Sequence, residues 1–262
     1  EDLEAIYGFQ IDLNTSFSGE DSLDISIDAG NGVASNTSTA SGTVTTWATA
    51  LSEFDLNGGT DALSVDGVSY TFPVGDSMTA IVGDNTDGSS LFTTACAYGG
   101  PSNTLDDCGN VNAAFTKGGL MVGSSYDFGN GFTVAAGYAG PESAVATTES
   151  LDGIGVNVAY TGEDYGLSVT LSDVEFSDVQ TETYTAFNGY YAAEGLPSIS
   201  IGYEVGEKHA ALPAVDEVES FFVGLTFDEV GPGSAGIAAG YSNIVEGSDE
   251  EYMYEAYYEY PV

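Results

Sequence analysis

Apolar and polar residues alternate strictly along the first stretch of the chain. From Ala5 the odd positions read Ala5, Tyr7, Phe9, Ile11, Leu13, Thr15 and Phe17, against Ile6, Gly8, Gln10, Asp12, Asn14 and Ser16 at the even ones. A period of two gives one apolar and one polar face, the mark of a β-strand. After the turn Ser18-Gly19-Glu20-Asp21 the pattern resumes, with Leu23, Ile25, Ile27 and Ala29 on one face and Asp24, Ser26 and Asp28 on the other. This hairpin unit recurs. Strands are predicted at about 4–17, 23–29, 62–72, 78–82, 120–128, 132–138, 154–160, 167–171, 184–192, 199–205, 221–227, 235–241 and 252–260, with an extra ribbon within 43–54.

Turn lengths point to an architecture. Short connections at Ser18, Pro73, Gly129, Gly162, Glu194 and Gly231 alternate with long ones at Gly30, Gly83, Ala139, Asp173, Gly206 and Asn243. All short turns fall at one end of the sheet and all long loops at the other, as in an up-and-down barrel and unlike a Greek-key sandwich. The expected fold is all-β, a transmembrane up-and-down antiparallel β-barrel with 13 strands visible. Both ends run toward the short-turn side, so a single β-barrel domain over 1–262 is expected to be truncated at both ends. A complete barrel would have about 14 to 16 strands. Aromatics near strand ends, such as Phe17, Phe72, Phe128, Tyr138, Tyr160, Phe227, Tyr258 and Tyr260, fit an interfacial girdle.

Charge changes the picture next. The 262 residues carry 41 acids, two lysines and no arginine, for a net charge of −39. That balance excludes a basic patch for nucleic acid or anionic lipid. It suits a lumen that attracts cations, or a surface made for salty water. A hydrophobic content of 42% is globular, and no apolar run is long enough for a membrane helix.

Three segments resemble a known family: LNTSFSGEDSL at Leu13 to Leu23 followed by AGN at Ala29 to Asn31, YTFPVGDSMTAIV at Tyr70 to Val82, and GSSYDFGNGFTVAAGYAGPES at Gly123 to Ser143. They resemble the porins of the cyanobacterial outer membrane, the carbohydrate-type and iron-uptake group, over roughly the first half of the chain. The resemblance implies an outer-membrane homotrimeric diffusion channel with a loop folded into the bore. It also implies peptidoglycan attachment through an N-terminal surface-layer-homology domain that this chain lacks. The strands lack the basic residues other members carry, which puts anion passage in doubt.

Site residues follow from the polar face. Asp12, Asn14, Asp24, Asp28, Asp127, Asn157, Glu204, Asp228, Glu255 and Glu259 are expected to line the pore, and the loop 83–118, with Asp84, Asp87, Asp106 and Asp107, to form an electronegative constriction. Solubilising surface acids are the other reading. Cys96 and Cys108, close in a Gly- and Ser-rich stretch, are expected to form a disulfide, with two free thiols as the alternative. Gly58 to Leu63 and Ser248 to Glu251 are weak candidates for loop-bound Ca²⁺; no other cofactor is expected. His209 stands in an expected loop beside Lys208, too isolated for a triad or a zinc site, and catalysis is not expected. Trp47 is read as an interfacial anchor. The function expected is passive diffusion of small hydrophilic solutes or inorganic ions with cation preference. A secreted, acidic, Ca²⁺-binding structural or adhesive protein is the alternative.

Overall fold

The computed structural model describes residues 8–30, 37–40, 43–46, 62–100, 105, 107–115, 117–145, 147, 151–177, 180–210, 217–242 and 251–260. Fifteen strands follow in chain order: β1 Gly8–Thr15, β2 Ser22–Gly30, β3 Thr37–Ala40, β4 Thr43–Thr46, β5 Ser64–Val74, β6 Met78–Asp84, β7 Leu120–Asp127, β8 Phe132–Gly140, β9 Gly153–Thr161, β10 Tyr165–Ser177, β11 Gln180–Tyr191, β12 Ser198–Ala210, β13 Glu217–Val230, β14 Gly233–Ser242 and β15 Glu251–Glu259. All but β3 and β4 form one 13-stranded sheet in which each strand pairs with its neighbours in sequence, always antiparallel. Strands β3 and β4 make a separate ribbon. Among the described residues no pairing joins β1 to β15.

Register confirms the two faces. One cross-strand row runs Val169–Phe187–Tyr203–Phe221–Tyr241–Tyr252, and the next runs Leu167–Gly189–Ile201–Val223–Ala239–Tyr254. Their large side chains are mostly exposed: Leu167 at 58%, Ile201 at 52% and Tyr254 at 73%. The opposite face carries Asn157, Ser168, Thr170, Asn188, Ser200, Glu204, Ser220 and Ser242, all buried. The sheet is apolar where it is bare and polar where it is covered.

Two expected loops are strand. The connection expected at 173–183 is paired: Asp173 lies opposite Thr183, Val174 opposite Glu182 and Glu175 opposite Thr181. His209 sits in β12 opposite Thr181, and Lys208 opposite Glu182, so 206–210 is not loop either. The alternation misled because it inverts along these strands. Asp173 and Glu175 share the face of Leu171, while Val174 and Tyr184 are buried on the other. The regular swing of short and long connections therefore breaks at β10–β11. Strand β5 also runs through Pro73, and β6 reaches Asp84. Tyr7, Trp47, Asp106, Gly58 to Asp61 and Ser248 to Glu250 lie outside the described residues, as does most of the expected 43–54 ribbon beyond β4.

Candidate functional site: a loop strapped to the polar face

The segment between β6 and β7 lies across the polar face of β8 to β15. Its two ends are joined where Asn85 N–H donates to Gly119 O at 2.8 Å. Asn85 has φ +56°, a left-handed conformation that asparagine adopts more readily than most residues. The limb 93–98 is tied down every second residue, as an extended chain would be. Thr93 N–H donates to Asn157 Oδ1 (3.0 Å), and Asn157 Nδ2 donates back to Thr93 O (3.1 Å). Ala95 N–H donates to Ser168 Oγ at 2.9 Å, and Ala97 N–H to Ser200 Oγ at 2.8 Å. Small polar side chains on β9, β10 and β12 thus act as acceptors for the backbone N–H groups of this limb.

The limb is fastened further at Tyr98, whose hydroxyl donates to Glu255 Oε2 (2.5 Å), while Tyr257 on β15 donates to Gly99 O (2.8 Å). Burial first, and the Glu255 carboxylate second, push the Tyr98 phenol well above its usual range, so it stays a donor. Cys96 and Cys108 form a disulfide that closes the tip of the loop. Cys108 O accepts from Asn188 Nδ2 at 2.8 Å, and Gly109 O accepts from Ser220 Oγ at 2.6 Å. The Cys108 carbonyl rests on Gly202, where any side chain would collide with it; a glycine there lets backbone meet sheet. The return limb ends on Glu204, a carboxylate 1% exposed. Its oxygens accept from Asn112 N–H (2.9 Å), Asn112 Nδ2 (2.7 Å) and Ala113 N–H (2.8 Å).

Apolar contacts complete the seat. Phe115 is 3% exposed, packed edge-on to Phe92 with ring centres 6.3 Å apart, and clustered with Ile81, Met121, Ala139 and Val174. A second cluster joins Tyr98, Leu105 and Cys108 to Phe222 and Ala238. At the foot of the return limb, Lys117 Nζ donates to Glu175 O at 2.7 Å. Burial lowers the Lys117 pKa, and the nearby acids Glu182, Asp152 and Glu175 oppose that shift.

The expected pore-lining residues divide. Asp12, Asn14, Asp24 and Asp28 share one face of β1–β2, where Asp12 accepts from Ser26 Oγ (2.8 Å) and Asp24 from Ser22 Oγ (2.6 Å). Asn157 and Glu204 lie on the same face of the sheet but underneath the loop, and Glu255 is taken up by Tyr98; these three hold the loop and do not form bare wall. Asp127 sits at the end of β7, accepting from Gly129 N–H at 2.7 Å in the turn. Asp228 falls in the irregular stretch between Phe227 and Val230. Glu259 is exposed at the end of β15, opposite Ser234. Of the four loop acids, Asp84 belongs to β6 and shares the alternation of the exposed Val82, so its expected place in the loop is corrected. Asp87 is in the loop, its pKa raised by burial and by Asp66, and Asp107 is half-buried near the disulfide. Sequence reasoning missed Ser168, Asn188, Ser200, Ser220 and Tyr98 as anchors. For the four strand residues the only signal was small polar side chains recurring on one face. Among the described residues no group of three or more His, Cys, Asp or Glu could hold a metal ion.

Thirteen antiparallel strands, each beside its neighbours in chain order once β3 and β4 are set apart, bare and apolar on one face and with a loop laid on the other, define an all-β up-and-down barrel fold. No protein-family model matches the chain, and no curated protein does. Among solved structures, the chain is similar to a loop L8 deletion mutant of OmpT, an outer membrane protein of Vibrio cholerae: TM-score 0.50, 18% identity, covering 96% of this chain and 90% of that one. The trimer form of in-vitro folded OmpT gives TM-score 0.48 at 14% identity, over 90% of this chain and 80% of that one. An anion-selective porin from Comamonas acidovorans gives 0.47 at 12%, over 90% and 78%.

Proposed function

We propose that this chain is an outer-membrane porin through which small hydrophilic solutes or inorganic ions diffuse passively, with preference for cations. The observation that carries the reading is the inverted sheet: large apolar side chains stand exposed on one face while Ser, Asn and Glu hold a loop on the other. A closed sheet with that polarity needs lipid outside and water inside. The loop between β6 and β7 then narrows the lumen from one wall. Asp12, Asp24 and Asp28 face the water beside it, and a net charge of −39 with two lysines leaves the lumen's field negative. Such a field concentrates cations and repels anions without binding either. A trimeric assembly in a cyanobacterial-type outer membrane follows from the resemblance of its first-half motifs.

The test is a planar bilayer holding the purified protein under a KCl gradient. Stepwise conductance with a reversal potential on the cation side supports the reading. An anion-side potential removes the cation preference, and absence of any conductance removes the channel.

A further inference from the structure

We propose that Glu204 is a positioning residue that latches Asn112 and Ala113, in the return limb of the loop, against the wall, and that neutralising it releases these two residues toward the bore. Its electrical readout rests on the porin reading; the latch itself does not. Glu204 is among the largest fully buried side chains of the described sheet, and the only charged one among them. All four of its described hydrogen bonds are ones it accepts: Asn112 N–H reaches both oxygens at 3.2 and 2.9 Å, Asn112 Nδ2 reaches Oε1 at 2.7 Å, and Ala113 N–H reaches Oε2 at 2.8 Å. A carboxylate offers acceptors alone. A protonated carboxyl, or a glutamine, turns one of those acceptor sites into a donor aimed at N–H groups, so part of this set must break.

The other anchors of this limb hold other residues: Asn110 Nδ2 donates to Thr94 Oγ1 at 3.1 Å, and Phe115 is buried in its apolar cluster. Asn188 and Ser220 hold Cys108 and Gly109, and Lys117 holds the foot, which leaves Asn112 and Ala113 to Glu204. Two successive backbone N–H groups converge on this one carboxylate, in charge-assisted contacts that need its oxygens as acceptors. The charged surroundings are few. On β11 the neighbours of this face are Ala186, opposite Glu204, then Tyr184 and Glu182. On β13 the residue opposite is Ser220, which is uncharged. On β12 itself Lys208 is four residues on. Among the described loop residues the charged groups are Asp87, Asp107 and Lys117, the last near Glu182.

The experiment compares wild type, Glu204→Gln and Glu204→Asp, each folded in detergent or lipid, by hydrogen exchange resolved to the peptide covering 109–115. At neutral pH, Glu204→Gln should speed exchange at Asn112 and Ala113 at least about tenfold, the scale for losing one charge-assisted bond. It should also lower single-channel current as the limb enters the bore. Glu204→Asp, with its charge kept but its reach shortened, should fall between. On acidification, protection of these two amides, corrected for intrinsic exchange, should fall in wild type and stay flat in Glu204→Gln. Unchanged protection in Glu204→Gln overturns the latch, as does an equal acid response in both proteins. If Glu204→Gln does not fold, a wild-type protection that ignores pH overturns it equally. Loss of latch protection in a protein that never conducts would instead uphold the latch and sink the porin reading.

Discussion

Replacing Phe115 with alanine should free the loop without unfolding the sheet. The ring lies on the bare backbone of β9: a Cβ added at Gly155 would stand 2.7 Å from Phe115 Cε1, and one at Gly153 would stand 2.7 Å from Cδ2. Phe92 meets it edge-on, and Ala113, Met121 and Ala139 complete a pocket with none of these three exposed. Transfer of a fully buried aromatic back to water costs about 1.5–3 kcal/mol. Glycine walls cannot move in to fill the space, so the cavity contribution brings the total to about 3–5 kcal/mol. The 13-stranded ladder is untouched, so the loss belongs to the opening of the loop as a separate cooperative unit. At about 1.4 kcal/mol per tenfold, opening should rise roughly 140- to 3,700-fold. Hydrogen exchange of residues 85–119 in Phe115→Ala, set beside Leu167→Ala on the bare face, measures this directly. Exchange in the loop rising by less than about threefold, or a drop in sheet protection as large as in the loop, would refute the claim that Phe115 seats the loop on β9.

Gly202→Ala pushes a methyl into the Cys108 carbonyl that Asn188 holds; overpacking of this kind costs about 1–3 kcal/mol. It should raise exchange at 105–110 while mass analysis still finds the disulfide. Ile201→Lys places a charge in the middle of the bare apolar face; in lipid it should cost about 2–4 kcal/mol of folding free energy, read by urea titration in vesicles, whereas in water an exposed site would tolerate it within about 0.5 kcal/mol. Asp21 closes the β1–β2 turn by accepting from Ser16 Oγ, Phe17 N–H, Ser18 N–H and Tyr70 OH, bonds that hold its pKa far below the usual carboxylate range. Its contribution is therefore complete above about pH 4 and declines as pH falls toward the depressed folded value. Acid titration of the unfolding midpoint should be less steep in Asp21→Asn than in wild type.

Much of the sheet was legible because a bare apolar face on one side and water or loop on the other impose a period of two, and β1, β2, β7 to β9 and β12 to β15 keep it. The Gly83 to Gly118 segment stood out by its length and its two cysteines. Its seat on the wall was not legible, because Ser168, Ser200 and Ser220 look like any polar lumen residue until a backbone N–H or C=O is laid against them. Glu204 was read as facing water for the same reason: nothing in the local sequence distinguishes a wall carboxylate from one beneath a loop. The ends of β10 and β11 failed by a different cause, since there the packed residues Val174 and Tyr184 change faces relative to Leu171 and Phe187.

That change of face is itself informative about what bathes the sheet. Rows on the bare side read, in register, Leu167–Gly189–Ile201–Val223–Ala239–Tyr254, then Val169–Phe187–Tyr203–Phe221–Tyr241–Tyr252, then Leu171–Thr185–Val205–Glu219. On β10 to β12 the row after that is Asp173–Thr183–Glu207, without one apolar side chain. The bare-face apolar residues therefore end within one row of each other on these four strands, at Leu171 on β10, Phe187 on β11, Val205 on β12 and Phe221 on β13. Tyr203 marks the edge by donating to Glu219 at 2.8 Å, its ring in the apolar row and its hydroxyl toward the acids. Along β12 the apolar stretch from Ile199 to Val205 spans about 20 Å at about 3.3 Å per residue, close to the band of about 25 Å that a membrane barrel presents. A protein bathed in water on this side would have no cause to end its apolar residues on a common line, and would expose far more contiguous apolar surface than the few hundred Å² that soluble monomers tolerate. A slab of hydrocarbon supplies both the line and the tolerance.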